Sequence, residues 1–294
     1  MRGRRSACSL FHRPSLHLST GRPDWRRPRT RRPPLLRSAR LSMAVSLLRS
    51  AEPAGAPFLF DELTRVADGA LRVCYSPFEF INEQARVVIV GITPGRTQMF
   101  DSLREAHRRI HLGASNDEVL RAAKATGAFS GPMRPNLTGL LDAIGIHHWL
   151  GIPGCDALFA QSSHLVQTTS ALRNPVFVNG ENYNGSPGMT RPLLLREQLV
   201  AGFAQDAASL SNAVFVPLGD KVADALHRLA AQGHMSRDRI LDGLPHPSGA
   251  NAVNSAELRA SSPDPCQTNG ATPHQPMPPR RPPRAWTSRR AAAR

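Results

Sequence analysis

Two short stretches hold residue types able to do chemistry at fixed spacing. The first is Gly91-Ile92-Thr93-Pro94-Gly95, which follows the apolar run Val87-Val88-Ile89-Val90. Pro94-Gly95 suits the centre of a type II turn, with Pro presetting φ and Gly taking φ > 0. A residue before proline is pushed to an extended backbone, so the Thr93 hydroxyl and the neighbouring amides belong at the carboxyl end of a strand. The second is Leu244-Pro245-His246-Pro247-Ser248-Gly249-Ala250-Asn251. Flanked by two prolines, His246 has a nearly fixed backbone, and a rigid neutral imidazole suits the stabilisation of developing negative charge. Ser248 and the amides beyond it offer groups for a phosphate.

The elements that must position these stretches are legible from pattern. Four β-branched residues at 87–90 read as a strand buried on both faces, predicted from about Arg86 to Gly91. Further strands are expected at His164–Thr169, Asn212–Leu218 and Arg239–Leu244. Helices are expected at 58–67, 97–107, 137–144, Leu193–Leu210 and Asp220–Ala231. Another runs from the Ser115/Glu118 capping box to Gly127. Short apolar strands alternating with helices give an α/β protein with a parallel sheet covered on both faces, so the two turns fall on one sheet edge. Open α/β sheets place ligands at that edge. Residues 171–190, rich in Asn, Pro and Gly around Val176-Phe177-Val178, form a long connection of the kind that usually serves function.

Charge separates the chain into three parts. Of the net +15, residues 1–50 carry +12 and residues 261–294 carry +5, leaving −2 for residues 51–260. The ends are rich in Arg, Pro and Ser and are expected to be disordered, because they bury too little apolar surface to offset ordering entropy. Their prolines argue against the amphipathic helix of a transit peptide, and a start at Met43 with a translated leader upstream is expected. The single folded domain is expected at residues 51–260.

Cys8, Cys74, Cys155 and Cys266 form no CxxC pair. Neither a disulfide framework nor a thiolate metal site is expected, and the setting is read as reducing and cytoplasmic. His147-His148 has no carboxylate or Cys partner at ligand spacing, so no metal or other cofactor is expected. No apolar run reaches the ~18 residues of a membrane span. The chain lacks the GxSxG, GxxxxGK[ST] and GxGxxG signatures of hydrolases, nucleotide triphosphatases and dinucleotide enzymes.

Taken together and in this order, GITPG and HPSGAN resemble the two motifs of the uracil-DNA glycosylase superfamily. The likeness is nearest to its mismatch-type and single-strand-selective branches and covers roughly residues 58–254. The resemblance implies a three-layer α/β/α sandwich with a four-stranded parallel sheet, acting as a monomer that flips a damaged or mispaired base out of DNA and hydrolyses its N-glycosidic bond. It implies that Gly91, Ile92, Pro94 and Gly95 surround the base and that His246 contacts the base carbonyl. Pro247, Ser248, Gly249 and Asn251 would meet the DNA backbone. Thr93 stands where the family has a water-positioning Asp, Asn or Glu, and a hydroxyl cannot serve as general base. Asp101 and Glu181 are candidates for that missing role. Phe129 and Phe100 are candidates for stacking on the base, and Asn182 and Tyr183 for reading its edge. The alternative is a base- or nucleotide-binding module of the same fold that has lost the acid. A third reading, a pocket for a small nucleotide metabolite, rests on the near-neutral middle of the chain.

Overall fold

The computed structural model describes residues 58–129 and 133–247. The Arg/Pro-rich ends, together with the predicted DNA contacts Ser248, Gly249 and Asn251, lie outside the described residues.

The Val87–Gly91 strand (β3) is the axis of the fold. It pairs in parallel with β4 (Val166–Ser170) on one side and β7 (Val214–Pro217) on the other, with Val87 aligned to both Val166 and Val214. Its four β-branched residues are fully buried, and their alternation splits the core in two. Val88 and Val90 join Phe215, Leu195, Phe203, Val222 and Leu226 on one face. Val87 and Ile89 join Val216, Leu137, Leu140, Leu141 and Leu158 on the other. Helices α6 (Leu193–Gln198), α7 (Gln205–Ser209) and α8 (Asp220–Ala231) therefore cover the first face, while α4 (Met133–Ala143) and α5 (Ile146–Leu150) cover the second. The result is a mixed α/β protein with a parallel sheet packed between helices.

Several expectations are corrected. The predicted strand at Arg239–Leu244 is reduced to one parallel bridge, Phe215 to Ile240, so the parallel sheet has three strands in the order β4-β3-β7. Leu241 N still donates to Phe215 O, but Arg239 turns its side chain onto the carbonyls of Leu210 and Ala213. The following Pro245 and Pro247 have no N–H to extend a ladder.

The long connection at 171–190 holds β5 (Val176–Val178) and β6 (Glu181–Asn182). With β1 (Thr64–Asp68) and β2 (Leu71–Cys74) they make a second, antiparallel sheet in the order β1-β2-β5-β6. The lead-in helix correspondingly stops early, at Phe58–Leu63 (α1), because its continuation pairs with β2. The helix expected over Leu193–Leu210 contains a π segment, Leu199–Ala204. The helix expected at 137–144 begins earlier, at Met133.

Helices α2 (Arg96–His111) and α3 (Asn116–Gly127) pack on each other. The Ser115/Glu118 capping box of α3 is present, with Ser115 N donating to Glu118 Oε2 at 2.8 Å and Glu118 N to Ser115 Oγ at 3.4 Å. Gly127 is fixed by packing. A Cβ there would sit 2.9 Å from both Gln98 O and the Phe78 ring. Among the described residues no helix is long and apolar enough to cross a membrane.

Candidate functional site

A cavity of about 920 Å³ opens at the carboxyl edge of the parallel sheet, lined by the turn after β3, the ends of β4 and β7, and Gly243–His246. The two predicted motifs thus meet around one space, as far as the second is described.

The turn after β3 is not the expected type II turn, since Gly95 takes φ −80° as the N-cap of α2, and it is held by its own polar groups. Thr93 Oγ1 donates to Asn174 O at 2.9 Å and accepts from Val176 N at 3.1 Å. Its proton is committed, and the side chain welds the turn to the start of β5. Gly95 N donates to Gln98 Oε1 at 2.9 Å, and Arg96 N donates to Asn182 Oδ1 at 2.8 Å. These two amides at the start of α2 are therefore taken by side chains, and Asn182 spends its oxygen on the helix rather than on a ligand. The carbonyls of Gly91 and Ile92 accept from Ala171 N and Leu172 N, which carries the β3–β4 pairing past the strand ends.

Across from this turn, His246 is partly buried against Gly219. A Cβ at Gly219, whose φ is +87°, would lie 3.8 Å from His246 Cβ, and Gly219 N donates to Leu244 O at 2.8 Å. Burial lowers the His246 pKa from its ordinary value and favours the neutral imidazole. Pro247 is buried and its carbonyl accepts from Asn136 Nδ2 at 3.2 Å. That bond ties the turn to α4.

Of the two aromatic candidates, Phe129 lines the cavity and Phe100 packs against the core of Met99, Leu103 and Phe177. Phe129 adopts φ +48°, an uncommon conformation for a bulky residue, of the kind kept where surroundings over-determine it. Its ring lies 3.5 Å from where a Cβ of Gly91 would stand. That is ordinary contact distance, and Phe129 is itself mostly buried, packed in the same core cluster as Ile89, Leu137 and Leu140. Tyr183 also lines the cavity, but its hydroxyl donates to Pro187 O, and burial pushes its pKa up to about 12.

The acids proposed to replace the missing one at position 93 do not line the cavity. Asp101 pairs with Arg104 on α2, and Glu181 is exposed on β6. The one carboxylate among the described lining residues is Asp220, in the first turn of α8 directly after Gly219. The sequence held a signal for it: Gly219-Asp220 ends the third apolar run, at the same sheet edge as the two chosen motifs.

The structure also brings Lys124 and Arg173 to the wall of this cavity. Arg173 Nη1 contacts both oxygens of Asp206, at 2.8 and 3.0 Å. Lys124 Nζ donates to Phe80 O at 2.7 Å and Phe78 O at 3.2 Å, and burial lowers its pKa to about 8 despite the nearby acids. Glu79, buried within this cluster, has its pKa raised by desolvation. Thr169 Oγ1, on the cavity wall, is buried without a hydrogen-bond partner in the described structure.

One sequence expectation is overturned away from the cavity. Asp142 and Cys155 both lie beside His147, so that histidine does have carboxylate and thiol neighbours, with ligand atoms within 4.8 Å of one another.

The fold and cavity define a mixed α/β protein with a ligand-sized space at the carboxyl edge of a parallel sheet. None of the known protein-family models matches the chain. It is 34% identical over 187 residues to the protein described as "Uncharacterized protein YoxB" of Bacillus subtilis (strain 168), a match covering 63% of this chain and 73% of the relative. The chain belongs to the same family as YoxB.

Proposed function

We propose that the protein is a base-excision glycosylase with a uracil-DNA glycosylase-like fold, hydrolysing the N-glycosidic bond of a deaminated or mispaired base in DNA. The observation that carries the reading is the strained Phe129, whose ring lies against Gly91 on the wall of a cavity that also holds His246. A flipped base needs an aromatic face to stack on and a polar edge opposite. The unpartnered Thr169 hydroxyl offers one such polar contact.

In this reading the base slides over Phe129, and His246, neutral because it is buried, donates to a base carbonyl as charge develops there. Water attacks the anomeric carbon, the carbon–nitrogen bond breaks, and the base leaves with the bonding electrons. Asp220 takes the proton of the attacking water and the departing base is protonated from solvent. Thr93 has no part in the chemistry, since its hydroxyl ties the turn to Asn174 and Val176.

That same engagement of Thr93 favours a second reading, a pocket that binds a base without excising it. The two are separated by incubating the protein with single-stranded and mismatched oligonucleotides carrying uracil, hypoxanthine or xanthine, then treating with alkali. Strand breaks at the modified position support excision. Intact strands combined with saturable, base-dependent binding support the module. Failure of both excludes a base pocket.

A further inference from the structure

We propose that Asp142, His147 and Cys155 form a binding site for a divalent transition-metal ion, best suited to zinc, on the helix layer behind the cavity. The proposal stands apart from the glycosylase reading, because none of the three residues lines the cavity.

The chain is shaped to bring these groups together. Asp142 lies in the last turn of α4; Gly145, at φ +77°, reverses the backbone into α5, where His147 is the second residue. Gly151, at φ +72°, ends α5, and Cys155 opens a short 3₁₀ turn, Cys155–Phe159, after it. Asp142 Oδ1 accepts from Cys155 N at 2.8 Å, which fixes the carboxylate beside the thiol. One ligand atom from each of Asp142, His147 and Cys155 lies within 4.8 Å of the others. Bonds of 2.0–2.3 Å to a tetrahedral zinc set donors about 3.3–3.7 Å apart, so a contraction of at most about 1.5 Å would suffice.

Asp142 and Cys155 satisfy each other by hydrogen bonds, but the imidazole of His147 does not join them, and that points to an ion. His147 Nδ1 sits 3.2 Å from Asp142 Oδ1, yet it is buried and makes no hydrogen bond in the described structure. A ring nitrogen and a carboxylate oxygen facing each other off the hydrogen-bonding line are arranged as two ligands of a shared cation. Asp142 also places negative charge at the carboxyl end of α4, where the helix dipole disfavours it and a cation would offset it.

The donor set is an imidazole, a carboxylate and a thiol. Three protein ligands leave a fourth position for water, and the partly exposed Asp142 gives access from solvent. The thiol identifies a borderline-soft metal in preference to magnesium or calcium. In the metal-free protein, burial and Asp142 keep Cys155 protonated. On binding, the metal–sulfur bond forms, the S–H bond breaks, and one proton leaves to solvent.

The site would pin the end of α4 to the 155–159 turn. The opposite end of that helix carries Met133 on the cavity wall and Asn136 on the Pro247 carbonyl. Metal binding should therefore stiffen the helix that supports the His246 turn.

The test uses the full chain, stripped with a chelator and titrated with cobalt(II), whose bond to a thiolate gives a near-ultraviolet charge-transfer band. One equivalent should produce the band, zinc should abolish it by displacement, and saturating zinc should raise Tm by on the order of a few degrees. Cys155→Ser should remove the band. Asp142→Asn and His147→Gln, checked for native circular dichroism, should each weaken cobalt binding by about tenfold or more. The double variant His107→Gln/His111→Gln controls for the other histidine pair, whose Nε2 atoms are 3.0 Å apart. No saturable band, a band that survives Cys155→Ser, or unchanged affinity in both Asp142→Asn and His147→Gln overturns the proposal. So does loss of binding only in the His107/His111 variant.

Discussion

The two turns that line the cavity are held in place by different groups. The Gly91–Gly95 turn spends its polar groups inward: Thr93 on Asn174 and Val176, Gly95 on Gln98, and Arg96 on Asn182. The Gly219–Asp220 turn and the 244–247 stretch are tied by backbone, through Gly219 to Leu244 and Pro247 to Asn136, and place the His246 and Asp220 side chains on the cavity wall. In the proposed reading the first turn is a scaffold and the second carries the reactive groups.

Substitutions that break this contrast are ranked by their expected effect. His246→Ala should cost about 10²–10³ in the single-turnover rate of base release, with Tm little changed. Asp220→Asn should cost about 10² or more, at the lower end of what general-base catalysis supplies. An unaltered rate in that variant would return the role to another group. Thr93→Val, in contrast, should act on stability. It strips a partner from a carbonyl and an amide that are partly buried, at about 1–3 kcal/mol in chemical denaturation, and leaves the rate per folded molecule within a few-fold.

Two pH effects are smaller and follow from burial. Because desolvation depresses the His246 pKa, base release should stay level from neutral pH down through 6.5 and fall only in more acid solution. Lys124 has a folded pKa of about 8 against an ordinary 10.5. Between those values the unfolded chain holds a proton that the folded one has given up, so stability should rise with pH across that window. Lys124→Met should flatten the rise, as read from urea midpoints at a series of pH values.

Much of the frame was legible because it rests on local pattern. The β-branched run at 87–90, the capping box at Ser115 and the α8 pattern after Gly219 each depend on residues close in sequence. The antiparallel sheet was not, because β5 and β6 are short and β5 owes its place to pairing with β2, about a hundred residues earlier. The 239–244 stretch read as a strand from its composition, and only the Arg239 side-chain bonds and the two prolines explain why one bridge forms. In the site, spacing placed both motifs at one sheet edge, but Gly95 takes φ −80° instead of the positive φ of a type II turn, because it serves as the N-cap of α2. The binding of Thr93 to Asn174 joins residues 81 positions apart, and the Asp142–His147–Cys155 cluster depends on two left-handed glycines, so neither leaves a one-line signature.

The central claim is that the cavity excises a base through the His246–Asp220 side and not through Thr93. It is tested most directly by single-turnover release of uracil from a single-stranded oligonucleotide, measured for the wild-type chain, Thr93→Val and His246→Ala at matched folded concentrations. The account predicts release by the wild type, near-equal release by Thr93→Val, and loss of about 10²-fold or more in His246→Ala. No release by the wild type, or equal losses in the two variants, would contradict it.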